Sequence, residues 1–291
     1  MRHHKGLDIF ILRLLRIIST IQAYYSGHIT VDNSFDHASI RSARRDRQYR
    51  PITPPSPDSE PGQHSPPLLP LKIQTRVFPT NRHQQPHVKV YEGSLDDTEV
   101  IRDCIKNTHA VFLAVAVSGN VPGNTIAQDT ARVVVAALKQ IRESDASSKL
   151  PRLVVLSAVP TEPAFSKDMP ALALAILFRA ESNIYNDLIA AEKQLRKEQD
   201  WLSVTFVKPG ALSIDSQKGH ALTMEGPKGV VSFLDLAAGM VEVAESGDVY
   251  DWKAVSVNPT ASDVAFPWQN IPLLVKGLIY HFFPWAYRWL E

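Results

Sequence analysis

Ser157 and Tyr185 are the side chains whose type and setting could move a proton. Ser157 closes the apolar run 153–156, and Tyr185 is the only tyrosine of the helical stretch that follows. A hydroxyl at a strand end and a phenol on the next helix suit general acid–base work. Each also has a structural use: Ser157 as a strand-end cap, Tyr185 as a buried, hydrogen-bonded ring. A second apolar run, 202–207, ends in Lys208-Pro209-Gly210. Other chemistry is poorly represented. The only cysteine, Cys104, sits in a helix-like run beside Ile105 and reads as packing. One cysteine excludes a disulfide framework and suits a reducing compartment, so a cytoplasmic location is expected. No metal site is expected, because His3 and His4 have no acidic or thiol partner at ligand spacing.

The elements that must position these residues read as α/β. Residues 87–91 (HVKVY) alternate as a short strand would, and Ser94-Leu95-Asp96-Asp97 is a cap signal before a helix over 98–107. The near-continuous apolar run 109–117 predicts a strand buried on both faces of a parallel sheet. A helix over 125–143 follows, then a strand over 153–156, a long helical stretch over 170–197 and a strand over 202–207. Alternating strands and crossover helices mark a Rossmann-like, doubly wound parallel sheet. Right-handed crossovers place Ser157 and Pro209-Gly210 on one carboxyl edge, where ligands bind in such sheets. A capped helix over 231–245 and a strand over 254–257 complete the pattern. The apolar, aromatic end 271–291 cannot be one helix, since Pro284 interrupts it. It predicts either a segment packed over the cleft or a neighbouring subunit, or a membrane-interface contact flanked by Lys276 and Arg288. The divisions read as 1–79, a sheet domain over 80–260 and a small helical C-terminal part over 261–291.

The front of the chain does not match this pattern. No glycine-rich loop precedes the sheet, although a dinucleotide pyrophosphate needs bare backbone N–H groups at a helix N-terminus. Residues 7–18 are apolar but carry Arg13 and Arg16, too short and too charged for a spanning helix; a signal anchor stays open. Eight of the twenty residues 51–70 are proline, which excludes helix and central strand. One reading is a disordered leader. The other is a shifted reading frame. Residues 43–51 (ARRDRQYRP), read one nucleotide downstream with permitted codons, allow Leu-Gly-Ala-Thr-Gly-Ser-Thr-Gly. Residues 70–76 (PLKIQTR) in the same frame allow Arg-Ser-Lys-Ser-Lys-Leu-Glu, a pair suited to an adenosine 2′-phosphate. On this reading the first βα unit is garbled rather than absent.

With 31 basic and 30 acidic residues the charges nearly cancel, so no nucleic-acid partner is expected. Residues 88–93 (VKVYEG), 110–129 (AVFLAVAVSGNVPGNTIAQD), 153–157 and 202–210 carry a family resemblance. They resemble the averufin-oxidase-like proteins, fungal NmrA-like atypical short-chain dehydrogenases. The likeness runs from Phe78 to the C-terminus and is sharpest over 116–129, where a small-residue loop enters Gly-x-Thr-x-x-Gln-Asp. Residues 232–237 (SFLDLA) resemble a helix start common in NmrA-like folds. The family opens with Gly-x-x-Gly-x-x-Gly, which this chain as written lacks. The resemblance implies an oxidoreductase using NADP or NAD on an aromatic polyketide of anthraquinone or xanthone type. Its rival is a cofactor-binding sensor without turnover, or an inactive product.

Enzymes of this fold commonly pair the strand-end serine with a Tyr-x-x-x-Lys helix. Ser157 and Tyr185 match the catalytic positions, but Ile189 stands where the lysine belongs, and Asp187 lies close by. Pro209 and Gly210 are then expected at the nicotinamide end of the cofactor, with Ala114, Ala116 and Ser118 along the ribose side. Glu192 reads as a helix-surface partner for Lys193 or Arg196.

Overall fold

The computed structural model describes residues 91, 93–117 and 119–290. The expected strand 87–91 (save Tyr91), the 43–51 and 70–76 segments, the 79/80 boundary and Ser118 lie outside them. Helix α1 (Thr98–Ile105) starts where expected, its first turn held by the Asp97 carboxylate, which accepts from the Val100 N–H at 3.1 Å. Then come β1 (Ala110–Leu113), α2 (Ile126–Ser144) and β2 (Arg152–Leu156). After a 3-10 turn (Val159–Thr161) and the short α3 (Pro163–Ser166) follow α4 (Ala171–Ala180), α5 (Ser182–Leu195) and β3 (Val204–Val207). Beyond them run β4 (Ala211–Ser213), β5 (His220–Thr223), β6 (Val230–Ser232), α6 (Phe233–Glu245) and β7 (Ala254–Pro259). The chain closes with α7 (Ile271–Phe282), a 3-10 turn at Pro284 and α8 (Tyr287–Leu290).

The main sheet has the order β1-β2-β3-β7-β5. Its first four strands are parallel, and β5 joins β7 antiparallel. A separate parallel pair, β4 and β6, lies after β3. Apolar residues leave the strands in both directions. Val111, Leu113, Leu153, Val155, Val204 and Phe206 enter a core with α1, α2 and α5, while Phe112, Val154, Val207, Val255 and Val257 enter a second core with α6. Burial on both faces is why run 109–117 shows no polar alternation. That strand is shorter than expected: it ends at Leu113, whose ladder partner is Val155, one residue before β2 ends. Ala114–Val117 leaves as loop.

The expected helix over 170–197 is broken at Glu181, with φ −124° and ψ 27°. Asn120, fully buried, holds the break. Its Oδ1 accepts from the Asn183 N–H at 2.7 Å, and its Nδ2 donates to Arg179 O at 3.3 Å and to Gly277 O at 3.0 Å. The two helices have different partners, α5 packing on α2 and α4 on α7. The C-terminal helix α7 is thus packed on α4. Among the described residues no helix is long and apolar enough to cross a membrane.

Candidate active site at the carboxyl edge of the sheet

Register brings the candidate residues together. Leu156 pairs with Val207, so Ser157 and Lys208 stand side by side one step beyond the strands, and the Ser157 N–H still donates to Val207 O at 2.8 Å. Ala114, next after β1, is buried one step short of them, level with Leu156 and Val207. Lys208 is wholly buried, and its Nζ lies 2.8 Å from Glu192 Oε1 and 3.2 Å from Glu162 Oε2. Ser157 Oγ donates to Glu192 Oε1 at 2.8 Å and meets Thr161 Oγ1 at 3.1 Å. Glu192 is therefore a buried hub between β2, β3 and α5 instead of a helix-surface partner of Lys193 or Arg196. The helical period of α5 turns it inward, where Lys208 repays the desolvation of its charge. Between this hub and β1 lies a cavity of about 20 Å³, room for one water.

Tyr185 is on the same helix, seven residues before Glu192, and no hydrogen bond joins it to Ser157 among the described residues. It is 8% exposed, against the Phe178 ring at 5.5 Å between centroids. Burial first, and the nearby Glu181 second, push the phenol well above its ordinary pKa of 10.0. The tyrosine of a Tyr-x-x-x-Lys site is tuned the opposite way, by a cation, and here Ile189 is exposed at that position. Tyr185 thus stays a neutral donor. Glu181, one turn earlier, has a buried Oε2 without a hydrogen-bond partner, and burial lifts its carboxyl from 4.5 to about 7.

Asp187 does a different task from the cation expected near it. Buried on α5, its carboxylate accepts from the N–H groups of Ala127 (2.8 Å) and Gln128 (3.0 Å) at the start of α2. Thr125 makes no side-chain cap bond, so Asp187 caps α2 from another helix, where a negative charge also meets the positive end of the dipole. Gly210 is glycine for a packing reason, since a Cβ there would stand 3.0 Å from both Gly229 O and Pro227 Cβ. Pro209 is buried, whereas Ala116 is exposed. Lys208, Glu162 and Asn120 escaped the sequence reading. Only Lys208 left a signal, as a lone charge closing an apolar strand in the row of Ser157.

A mostly parallel sheet with helices on both faces and small residues at its carboxyl edge defines the Rossmann-like class of nucleotide-binding proteins. A family model described as NAD(P)H-binding matches residues 76–246. Oxidoreductase ordB of Dothistroma septosporum is 50% identical over 203 residues, 70% of this chain and 76% of that protein. Oxidoreductase stcQ of Emericella nidulans is 47% identical over 204 residues (70% and 74%), and oxidoreductase aflX of Aspergillus parasiticus 46% over 210 (72% and 78%). Among solved structures, the oxidoreductase ylbE of Lactococcus lactis aligns with 60% of this chain and 74% of its own at 18% identity, TM-score 0.44. The chain belongs to this family of NAD(P)H-binding oxidoreductases, together with fungal members. The cofactor class is a nicotinamide dinucleotide, NAD or NADP.

Proposed function

We propose that this protein transfers a hydride between NADP or NAD and an aromatic polyketide of anthraquinone or xanthone type, in the fungal cytoplasm, as a step of secondary-metabolite biosynthesis. The observation that carries the reading is the pair Ser157 and Lys208, side by side at the carboxyl edge with Ala114 one step before them, in a chain of an NAD(P)H-binding family. The nicotinamide, when bound, supplies or accepts the hydride. The chain's own residues shape the place where that happens. Ala114, Ala116, Pro209 and Gly210 line the cofactor in this reading, and Ser118, expected beside them, lies outside the described residues. Ser157 is a positioning residue whose proton is committed to Glu192, which fixes the direction of its lone pairs. Tyr185 contributes as a neutral phenol and not as a phenolate base. The resemblance to averufin-oxidase-like proteins supports the substrate class.

The test is a fluorescence titration of NADPH and NADH, followed by cofactor turnover with hydroxylated anthraquinones and xanthones. Saturable binding of one dinucleotide and quinone- or xanthone-dependent turnover are expected. Failure to bind either dinucleotide would defeat the reading. Binding without turnover of any such compound would point to a sensor. In the S157A variant, catalysis should fall while dinucleotide affinity holds within about fivefold, the worth of about 1 kcal/mol, because the hydroxyl contacts removed, to Glu192 and Thr161, lie within the protein.

A further inference from the structure

Three residues after Ser157 the chain borders a second feature. An open cleft of about 510 Å³ is walled by Pro160, Ala171, Leu174, Ala175 and Phe178, with Arg179 and His281 as its polar lining. The volume falls in the range of small-molecule sites, which combine apolar walls with a few fixed polar groups. Phe178 is backed by Tyr185 and offers an aromatic wall. His281 arrives from α7, the helix that lies against α4 so tightly that only a glycine fits at position 277.

The imidazole is held by a chain of hydrogen bonds through Ser182 and Asn120. Asn120 Oδ1 accepts from the Asn183 backbone N–H, so the other amide atom is the nitrogen, and it donates to Ser182 Oγ at 3.3 Å. Ser182 Oγ lies 2.8 Å from His281 Nδ1. A Ser182 hydroxyl that donates to Nδ1 satisfies both groups, and in that tautomer the imidazole carries its proton on Nε2. An N–H donor in an apolar cleft suits a carbonyl or phenolic oxygen.

We infer that this cleft receives the ring system of a planar phenolic or quinonoid compound, with one of its oxygens accepting from His281 Nε2 and its face against Phe178. The inference rests on the substrate class proposed above and locates its pocket. It also assigns the C-terminal helix a part in recognition: without α7 the cleft keeps only the Arg179 guanidinium as a polar side chain.

The experiment measures binding of a water-soluble hydroxyanthraquinone to the full chain by tryptophan fluorescence quenching, with and without NADPH. Two variants are compared, A175W, which fills the cleft, and H281F, which keeps an aromatic ring but removes the donor. Circular dichroism and the NADPH titration monitor folding in both. We expect A175W to abolish quinone binding and H281F to weaken it about three- to tenfold, the worth of one hydrogen bond, with NADPH affinity unchanged. Equally tight quinone binding by the wild type and both variants would overturn the pocket and leave the substrate class standing. A wild type that binds NADPH but no quinone would overturn both.

Discussion

At the scale of single residues, Lys208 shows how a buried charge can be held. It is wholly enclosed, and two glutamates face its ammonium. Removing one partner of such a group leaves the other uncompensated, at a cost of about 3–5 kcal/mol, whereas an apolar pair is often tolerated. Urea unfolding should therefore show K208M losing about that much, and K208M/E192L losing clearly less. Equal losses would mean that the pair is not coupled. Glu181 makes a pH-dependent contribution of the opposite kind. Its carboxyl titrates near 7 in the fold and near its ordinary 4.5 when unfolded, so the native state holds the proton more tightly. That stability is complete below pH 4.5, falls as pH rises toward 7, and is flat above, by on the order of 3 kcal/mol at most. Urea unfolding between pH 5 and 8 should show this slope in the wild type and its disappearance in E181Q.

At the scale of elements, the α4–α7 contact decides where the C-terminal part sits. A Cβ on Gly277 would meet Ala180 O at 1.9 Å, and that atom belongs to backbone, which cannot rotate away. Elsewhere in a helix, Gly to Ala is favourable by about 1 kcal/mol. Here G277A should destabilise by about 1–3 kcal/mol or more by overpacking, and should lower the thermal midpoint. N120A tests the same contact from the loop side, because Asn120 ties Arg179 O, Asn183 N–H and Gly277 O together. An unchanged midpoint in both variants would show that α7 docks independently of this loop. The helix break at Glu181 belongs to the same level. Residues 170–197 carry no proline or glycine between the two helices, so local propensity did not mark it. It exists because α4 and α5 serve different partners.

For the whole molecule, one sheet separates two cores, and neither is complete without it. Leu138 is fully buried with α1, α2 and α5, and Met240 fully buried with α6. Truncating either to alanine removes the contacts of a large side chain and should cost about 2–5 kcal/mol. Because both cores share β1, β2 and β3, each variant should unfold in a single transition seen alike by fluorescence and circular dichroism. A separate early transition in either variant would show the faces to be independent.

What the amino-acid order determined by itself was local. Apolar runs without alternation set β1, β2 and β3; capping residues such as Asp97 and Ser232 set helix starts; and Pro284 divided the C-terminal segment. Strand register then placed Ser157 on the carboxyl edge, and the residues of 110–129 and 202–210 carried the family. Tertiary structure alone decided the partners of isolated polar groups. Glu192 is 16 residues from Lys208, and Asp187 about 60 from the amides it caps. Asn120 stands 157 from Gly277. No periodicity links such distances, because the free energy of a buried charge or amide depends on which groups the packed chain brings within hydrogen-bonding reach.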